Sequence, residues 1–317
     1  MFGLKPDAAL DLPENYYVLE DYEKGMARWC DGCGDHAVLA SVQKMCRDGQ
    51  LDPVKTVFVS GIGCSSRFPH YMNTYGFHGL HGRAFPAACG IKHRRPDLDV
   101  FVITGDGDCC SIGAGPWIHA IRYNVNMTVM LFNNEIYGLT KKQQSPTSRI
   151  GTISNTSPRG SILPPIDPMQ VTLGVANASF VAQTVDWNPA HMHETIKAAH
   201  SHKGFSFVHI LQRCPIFQPA LVDELTSNRE NLCYLKDENG ITVSEDIEKT
   251  FKNSQTHDPS DINKARELAE SDEKIYLGLF FQDQDKVTYD EYGAYNLGVS
   301  VEDKTAMLNA EFDKYGI

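Results

Sequence analysis

The sequence predicts an α/β protein with a mostly parallel sheet and helices on both faces of that sheet. Short apolar runs rich in β-branched residues stand at 56–60, 100–104, 127–132 and 205–211, and such runs are typical of buried parallel strands. The stretches between them leave room for the crossover helices that parallel strands require. Because parallel strands end at one edge of a sheet, polar residues that follow these runs should lie close together.

The other predicted elements complete one α/β domain over residues 29–217. They are an N-terminal arm at 1–28, helices at 34–46, 83–92, 112–123, 171–176 and 190–200, and a further strand at 180–185. Residues 143–169 are polar and rich in Ser, Thr and Pro, and so long a loop is often functional, here as a lid or a contact between subunits. Residues 218–317 are polar and acidic, so we expect an irregular C-terminal extension, with some helix near 260–270, that packs against a partner subunit.

Composition narrows the possible functions. The chain has 317 residues, 42% of them hydrophobic, and a formal net charge of −11. This acidic balance argues against nucleic-acid binding, which favours a basic surface. Neither a signal peptide nor an apolar run long enough to cross a bilayer is visible, so we expect a cytoplasmic protein that does not associate with membranes.

The most informative motif is the Gly-Asp-Gly-Asp segment at 105–108, which directly follows the predicted strand at 100–104. The pair Asn133-Asn134 follows the next predicted strand, so carboxylate and amide groups should meet at the ligand-binding edge. Both groups offer the hard oxygen atoms that Mg²⁺ prefers, and glycine lets the backbone approach a phosphate closely. A plain turn would also explain the tetrapeptide. Together with the Asn pair, however, it resembles the thiamine diphosphate (ThDP) motif of ThDP-dependent enzymes.

A second motif consists of cysteines. Of the nine in the chain, Cys30 and Cys33 form Cys-x-x-Cys in a glycine-rich turn, whereas Cys64 and Cys214 follow the predicted strands at 56–60 and 205–211. Disulfides are disfavoured in the cytosol, so these thiols suit a structural zinc, a redox dithiol or a [4Fe–4S] cluster. A cluster gains support from the ThDP motif, because thiamine chemistry produces electrons that need an acceptor. The remaining five cysteines are expected to be structural or inert.

With both motifs in view, the chain resembles the β subunits of 2-oxoacid:ferredoxin oxidoreductases over about residues 29–219. The resemblance rests on the segments 29–34, 63–67, 81–83, 105–108, 137–143 and 214–215. It implies one [4Fe–4S] cluster bound by Cys30, Cys33, Cys64 and Cys214. It implies Mg²⁺ bound by Asp106, Asn134 and the carbonyl of Ile136. It implies ThDP contacts from Gly105, Asp106, Gly107, Asp108, Asn134, Ile136, Ser65, His81 and Arg83, although packing at a helix start would also explain the last two.

The resemblance also implies a reaction, the oxidative decarboxylation of a 2-oxoacid with coenzyme A to an acyl-CoA and CO₂. Electrons would pass through the cluster to ferredoxin, and the reaction is reversible in principle. The stretch 63–69 looks most like the 2-oxoglutarate-utilising members, which implies succinyl-CoA as the product. By similarity Arg67, Lys141 and Leu139 face the substrate, and a distal carboxylate would pair with either cation.

Other interpretations remain open for the substrate side and for the reaction. Arg67 and Lys141 could be solvated surface charges. The substrate could be pyruvate or another 2-oxoacid. The chain could also be part of a non-redox ThDP decarboxylase, or an iron–sulfur or zinc scaffold without catalysis.

The sequence predicts only half of a ThDP active site. ThDP enzymes use a carboxylate on a second α/β domain to bond the aminopyrimidine ring, and this chain has strands and helices for one such domain. By resemblance the missing half is an α subunit, which gives an αβ unit that pairs into a dimer of dimers.

Overall fold

A computed structural model describes residues 16–227, 229–242, 252–292 and 300–316. The strands are Thr56–Ser60 (β1), Tyr75–His78 (β2), Asp99–Gly105 (β3), Met127–Asn133 (β4), Ile136–Tyr137 (β5), Gln143–Gln144 (β6), Phe180–Val185 (β7), Phe205–Leu211 (β8), Leu232–Lys236 (β9), Asn253–Thr256 (β10) and Ile275–Gln282 (β11). The helices are Asp35–Asp48 (α1), Ala84–Arg94 (α2), Asp106–Cys110 (α3), Ala114–Tyr123 (α4), Pro168–Gly174 (α5), Pro189–Ser201 (α6), Pro219–Ser227 (α7), Ile262–Glu270 (α8), Tyr289–Tyr292 (α9) and Val301–Lys314 (α10). Short 3₁₀ helices cover Leu19–Asp21, Ser65–His70 and Arg229–Asn231.

The described strands form a nine-stranded sheet in the order β10-β9-β11-β7-β8-β4-β3-β1-β2, with β5 and β6 as a separate small ladder. Neighbouring strands of the large sheet pair in parallel except β11 and β7, which are antiparallel. Helices pack against both faces. The predicted fold class is therefore confirmed.

Alternation of side chains along the strands produces two apolar layers, one on each face of the sheet. Val102 of β3 belongs to one buried cluster with Trp117 of α4. Its neighbour Phe101 belongs to the other cluster, with Val42 of α1 and Ile196 of α6. Each such side chain contributes about 1.5–3 kcal/mol when it is fully buried, so these layers hold the strands in a fixed register.

The register brings the ends of the central strands to one level. Gly105 of β3 lies opposite Phe132 of β4, and Asn133 of β4 lies opposite Leu211 of β8. Residues that follow these positions therefore emerge side by side at the carboxyl edge of the sheet. All the predicted ligands except Cys30 and Cys33, which precede α1, follow strands β1, β3, β4 or β8 in sequence.

The structure corrects the expectation of an irregular fold after residue 218. Among the described residues, β9, β10 and β11 extend the main sheet, and β11 joins it to β7. The runs 232–235 and 275–281 supply buried apolar side chains for this extension, although the surrounding sequence is polar and acidic. The helix expected near 260–270 is confirmed as α8. A role for this segment in contacts between subunits stays a prediction.

The predicted N-terminal arm is described from residue 16 onward, and residues 1–15 lie outside the described part. Tyr22 is fully buried, and its hydroxyl donates to the carbonyl of Leu51 at 2.7 Å. The ring of Tyr17 packs edge-on against Tyr22. This part of the arm is therefore tied to the core. None of the helices in the described part of the chain has the length and hydropathy that a bilayer crossing requires.

Candidate active site at the carboxyl edge of the sheet

Asp106 lies where β3 passes directly into α3, and its side chain is buried. One carboxylate oxygen, Oδ2, accepts hydrogen bonds from Ser145 Oγ at 2.6 Å and Thr147 Oγ1 at 2.7 Å. Burial raises the pKa of Asp106, and the two hydroxyl donors act in the opposite direction. The hydroxyls therefore fix the carboxylate in one orientation and partly offset the cost of burying its charge.

The two asparagines after β4 have different surroundings. Asn133 is turned into the fold, where its Oδ1 accepts from Thr147 Oγ1 at 3.0 Å and its Nδ2 contacts His209 Nε2 at 3.0 Å. Asn134 borders a cavity together with Asp106. Its Oδ1 accepts from the amide of Ile136 at 3.2 Å. Asn134, and not Asn133, is thus placed to offer an amide oxygen beside the Asp106 carboxylate.

This cavity has a volume of about 50 Å³ and lies among several of the predicted cofactor contacts. Its lining includes Ser65, His81, Gly105, Asp106, Gly107, Asp108, Asn134, Ile136 and Leu139. Gly107 is required here because a Cβ would lie 2.2 Å from a ring carbon of Tyr137, whose hydroxyl donates to the Gly107 carbonyl at 2.7 Å. The close approach of this ring to the backbone closes one wall of the cavity.

Asp108 holds the loops around the cavity together. Its carboxylate accepts from the backbone amides of Ile62 at 3.1 Å and Gly82 at 2.8 Å, and from Thr104 Oγ1 at 2.9 Å. It also bonds His81 Nδ1 at 2.9 Å, which fixes the direction of the imidazole at the cavity. A carboxylate with this many partners suits a positioning role more than direct contact with a ligand.

Arg83 is directed away from the cavity. Its guanidinium donates to the carbonyls of Gly82 at 3.1 Å and Ile112 at 3.2 Å. Arg83 is absent from the residues that line the cavity. In this structure it ties the start of α2 to the segment after α3, which is the packing alternative considered for it.

The four predicted cluster ligands come together at the same edge. Cys30 and Cys33 precede α1, Cys64 precedes a 3₁₀ helix, and Cys214 follows β8. A Cβ at Gly138 would lie 3.6 Å from Cys64 Sγ and 3.7 Å from Cys214 Sγ. Gly138 and Cys64 both line the cavity, and Cys214 lies next to Gly138 outside the lining.

Electrostatics connect all four thiols. The pKa of Cys64 is raised to about 12, chiefly by burial and in smaller part by the charges of Asp35, Cys214 and Cys30. Burial also raises the pKa of Cys33, with further contributions from Asp35, Cys214 and Cys64. Such thiols do not ionise alone, and a bound metal centre would supply the positive charge that stabilises their thiolates.

The thiol arrangement differs from that of a single-ion site. The described residues contain no group of three or more His, Cys, Asp or Glu side chains that could hold one metal ion. Zn–S bonds of 2.3 Å would place tetrahedral sulfur ligands only about 3.8 Å apart. Four cysteine thiolates are the usual ligand set of a four-iron cluster, so the chemistry of this donor set fits such a group.

The three residues predicted to contact the substrate differ in their position relative to the cavity. Leu139 lines the cavity. Arg67 lies outside the lining, and its Nε donates to the Tyr71 hydroxyl at 3.0 Å while its guanidinium stands 5.9 Å from the centre of that ring. Lys141 is exposed, with a backbone φ of 68°. Only one of the three is thus at the cavity in this structure.

The sequence analysis missed several side chains at this edge. Ser145 and Thr147 contact Asp106, and Gln212 accepts from Asn134 Nδ2 at 2.7 Å. The long polar stretch at 143–169 was a signal for the two hydroxyls. For Gln212 the only signal was its position, two residues before Cys214.

The site can be compared with known proteins. Residues 61–210 match the family model described as "Thiamine pyrophosphate enzyme, C-terminal TPP binding domain", thiamine pyrophosphate being another name for ThDP. Residues 245–295 match the model for the C-terminal part of the "Pyruvate ferredoxin oxidoreductase beta subunit". These matches indicate a ThDP-binding domain similar to those of ferredoxin-linked oxidoreductases.

Individual relatives narrow the class. The chain is 35% identical to a "2-oxoacid:ferredoxin oxidoreductase subunit beta" of Saccharolobus solfataricus, over 83% of this chain and 84% of that protein. It is 48% identical to the "2-oxoglutarate oxidoreductase subunit KorB" of Mycobacterium tuberculosis over 62% of this chain, but that match spans only 53% of the relative. The chain therefore belongs to the β subunits of the 2-oxoacid:ferredoxin oxidoreductases.

A solved structure supports the same assignment. The 2-oxoglutarate:ferredoxin oxidoreductase from Magnetococcus marinus, with 2-oxoglutarate, coenzyme A and succinyl-CoA bound, contains a chain that matches with a TM-score of 0.80 at 36% identity. The match covers 93% of this chain and 96% of that chain. Roles of individual residues at the site stay predictions.

Proposed function

We propose that the chain is the β subunit of an enzyme that oxidatively decarboxylates 2-oxoglutarate with coenzyme A to succinyl-CoA and CO₂. Electrons leave through a [4Fe–4S] cluster to ferredoxin, and the reaction is reversible in principle. The observation that carries the proposal is that two donor sets, one of hard oxygens and one of thiols, meet at one cavity, which Asp106, Asn134 and Cys64 line together. The names of several relatives, which include 2-oxoglutarate, support the choice of substrate.

The oxygen donors fit Mg²⁺ and a diphosphate. Mg²⁺ in proteins is usually bound through one or two carboxylates and other oxygen donors and completes its octahedron with phosphate and water. Asp106, Asn134 and the carbonyl of Ile136 would hold it, and all three residues line the cavity. When bound, ThDP supplies a nucleophilic carbon and an electron sink for decarboxylation. Ser145 and Thr147 keep the Asp106 carboxylate turned toward this site.

The thiol donors fit a cubane cluster. Cys30, Cys33, Cys64 and Cys214 would hold it, and four cysteine thiolates are its usual ligand set. When bound, the cluster accepts electrons released at the cavity and passes them on one at a time. Gly138 lies beside this transfer path, because a Cβ there would contact the sulfurs of both Cys64 and Cys214, and Cys64 itself lines the cavity.

The remaining cavity residues orient groups and exclude water. Leu139 and Ile62 present apolar surface, which lowers the local dielectric and strengthens charge interactions. His81 is held through Nδ1 by Asp108, so its Nε2 can hold or pass a proton at the cavity.

A partner must complete the site. The cavity of about 50 Å³ is far smaller than the roughly 300–1,000 Å³ of cofactor pockets, and no glutamate is among the described residues that line it. An α subunit would add the aminopyrimidine pocket and its carboxylate, in an αβ dimer of dimers that donates electrons to ferredoxin. The name "subunit beta" of the relatives supports a multi-subunit assembly.

The test is a substrate profile of the chain purified anaerobically with its α subunit. Coenzyme A-dependent reduction of a viologen dye is measured with 2-oxoglutarate, pyruvate, and branched-chain and aryl 2-oxoacids. The proposal expects the highest kcat/KM for 2-oxoglutarate. A large preference for pyruvate would overturn the substrate, and CO₂ release without dye reduction would indicate a non-redox decarboxylase.

Substitutions of Arg67 and Lys141 test whether these residues determine the substrate preference. If Arg67 or Lys141 moves to pair with the distal carboxylate, Arg67→Gln or Lys141→Gln should lower kcat/KM for 2-oxoglutarate much more than for pyruvate. Equal loss for both substrates would mean that the residue does not recognise that carboxylate. The matched control is Arg122→Gln, since Arg122 lies at the end of α4, after which the chain enters β4 from the opposite edge.

A further inference from the structure

The side chain of Gln212 links the two donor sets of the site. Gln212 follows β8, is 1% exposed, and its backbone amide donates to the Asn133 carbonyl at 2.9 Å. Its Oε1 accepts from Asn134 Nδ2 at 2.7 Å. Its Nε2 donates to Cys33 Sγ at 3.4 Å. One buried amide thus contacts both a proposed Mg²⁺ ligand and a proposed cluster ligand.

The surrounding hydrogen bonds fix the orientation of this amide. Asn134 Oδ1 accepts from the amide of Ile136, so the NH₂ group of Asn134 must face Gln212. The atom of Gln212 that meets this NH₂ group must then be its oxygen. The NH₂ group of Gln212 is left to face two acceptors, the Arg213 carbonyl at 2.5 Å and the sulfur of Cys33. A flipped amide would place a donor against a donor and an oxygen against a carbonyl.

We propose that Gln212 is a positioning residue that orients the Mg²⁺ ligand Asn134 through its oxygen and tunes the cluster through an N–H···S bond to Cys33. This inference rests on the proposed function of the chain. Hydrogen bonds to cluster sulfurs stabilise the more negative reduced state and raise the reduction potential. Residues that orient metal ligands from outside the coordination sphere typically change metal affinity by about 10–100-fold.

The loop that carries Cys33 is held close to the end of β8, where Gln212 lies. Gly34 cannot carry a side chain, because a Cβ there would lie 1.6 Å from Asp186 Oδ2. Asp186 is neutralised by Arg213, with its Oδ1 2.9 Å from Nε, and the amide of Gly34 is bonded to the Arg213 carbonyl. The Cys-x-x-Cys loop is therefore held against the end of β8, and Gln212 is the residue of that strand end whose side chain reaches the thiol.

The two halves of the bridge can be separated by substitution. Gln212→Leu removes both the acceptor and the donor, whereas Gln212→Glu keeps an acceptor for Asn134 but removes the donor to Cys33. Gln43→Leu is the matched control, because Gln43 is also a buried glutamine and donates to the Tyr71 carbonyl at 3.4 Å without contact to either ligand set.

The experiment uses the complex with the α subunit and two readouts that do not depend on turnover. The first is the midpoint potential of the cluster, from a redox titration followed by electron paramagnetic resonance. The second is the Mg²⁺ concentration that half-saturates ThDP binding, followed by circular dichroism. We expect Gln212→Leu to lower the potential and to raise the Mg²⁺ requirement about tenfold. Gln212→Glu should lower the potential while the Mg²⁺ requirement stays near that of the parent protein, and Gln43→Leu should change neither.

Each outcome decides the inference. The inference is overturned if Gln212→Leu keeps its full iron content but shows an unchanged potential. It is also overturned if that variant shows an unchanged Mg²⁺ requirement. If that variant loses its cluster, Gln212→Glu decides instead, and a parent-like potential in it overturns the inference. Parent protein that binds neither iron nor ThDP would overturn the proposed function and not the role of Gln212 within it.

Discussion

Both edges of the central sheet carry buried polar side chains, but those at the amino edge bond one another, whereas those at the carboxyl edge border a cavity. At the amino edge, Asn124 Oδ1 accepts from Ser179 Oγ at 2.6 Å and from the amide of Phe205 at 2.8 Å. Its Nδ2 donates to the Lys286 carbonyl at 3.3 Å, and His202 Nε2 contacts Ser179 Oγ at 3.0 Å. These groups bond one another and tie α4, β7 and β8 together.

At the carboxyl edge, by contrast, buried polar side chains and thiols face a cavity or one another. Asp106, Asn134, His81 and Cys64 border a cavity, and Cys214 lies next to Gly138 of its wall. The comparison shows that buried polarity alone does not mark a site. A site is marked by polar groups that neighbours hold in place while part of their bonding capacity faces a cavity.

The largest expected effect is the loss of iron when a thiol at the carboxyl edge is replaced. Cys214→Ser removes one of four proposed cluster ligands, so iron should fall from about four atoms per chain to near zero, because cubane clusters require four ligands. Iron analysis and the visible spectrum of anaerobically purified complex give the measurement. Cys233→Ser is the control, since Cys233 is buried in β9, and it should retain full iron. Loss of iron in both variants, or in neither, would contradict the ligand assignment.

The next effect concerns Mg²⁺. Asp106→Asn removes the carboxylate charge, and the Mg²⁺ requirement for ThDP binding should rise more than the roughly 10–100-fold that outer partners contribute. The measurement is ThDP binding at increasing Mg²⁺. Asp167→Asn is the control, because Asp167 also has a raised pKa through burial but caps α5, where Asn serves equally well. An unchanged requirement in Asp106→Asn would exclude this residue as a ligand.

A smaller effect tests the orientation of that carboxylate. Thr147→Val removes one of the two hydroxyl donors to Asp106, so the Mg²⁺ requirement should rise about tenfold. Thr172→Val is matched in size and burial, since Thr172 donates to the Pro168 carbonyl at 2.7 Å. It should lower thermal stability without changing the Mg²⁺ requirement. The same binding titration with both variants decides whether the hydroxyl positions the ligand or only packs.

A substitution at the amino edge, His202→Gln, is expected to leave cofactor binding unchanged. Burial lowers the pKa of His202 from 6.5 to about 4, so the unfolded chain binds a proton more readily than the folded one. Its contribution to stability is complete above pH 6.5 and is lost as the pH falls toward 4. His202→Gln should therefore make the loss of thermal stability between pH 7 and pH 4 less steep, with iron and ThDP binding unchanged. An equally steep loss in the variant would contradict this assignment.

The sequence was sufficient for features that depend on local pattern. The strand runs at 100–104 and 127–132 and the position of Asp106 directly after a strand follow from neighbours within a few residues. The contacts of Asp106 with Thr147, 41 positions away, and of Gln212 with Asn134, 78 positions away, depend on the packing of loops that pattern does not encode.

One further difference between prediction and structure also depends on contacts between distant segments. Tertiary pairing of β11 with β7 decides that 275–282 is part of the main sheet, whereas the polarity of the flanking sequence suggested an irregular tail. The direction of Arg67 has a different, local origin, because the Tyr71 hydroxyl that accepts from its Nε is only four residues further along the chain.

The most direct test of the account is the cofactor content of the chain purified with its α subunit under anaerobic conditions. The two donor sets predict a brown protein with about four iron atoms per chain, and ThDP that is retained with Mg²⁺ and released by a chelator. A colourless, iron-free complex that still binds ThDP would contradict the central claim that both sets act at one edge of the sheet.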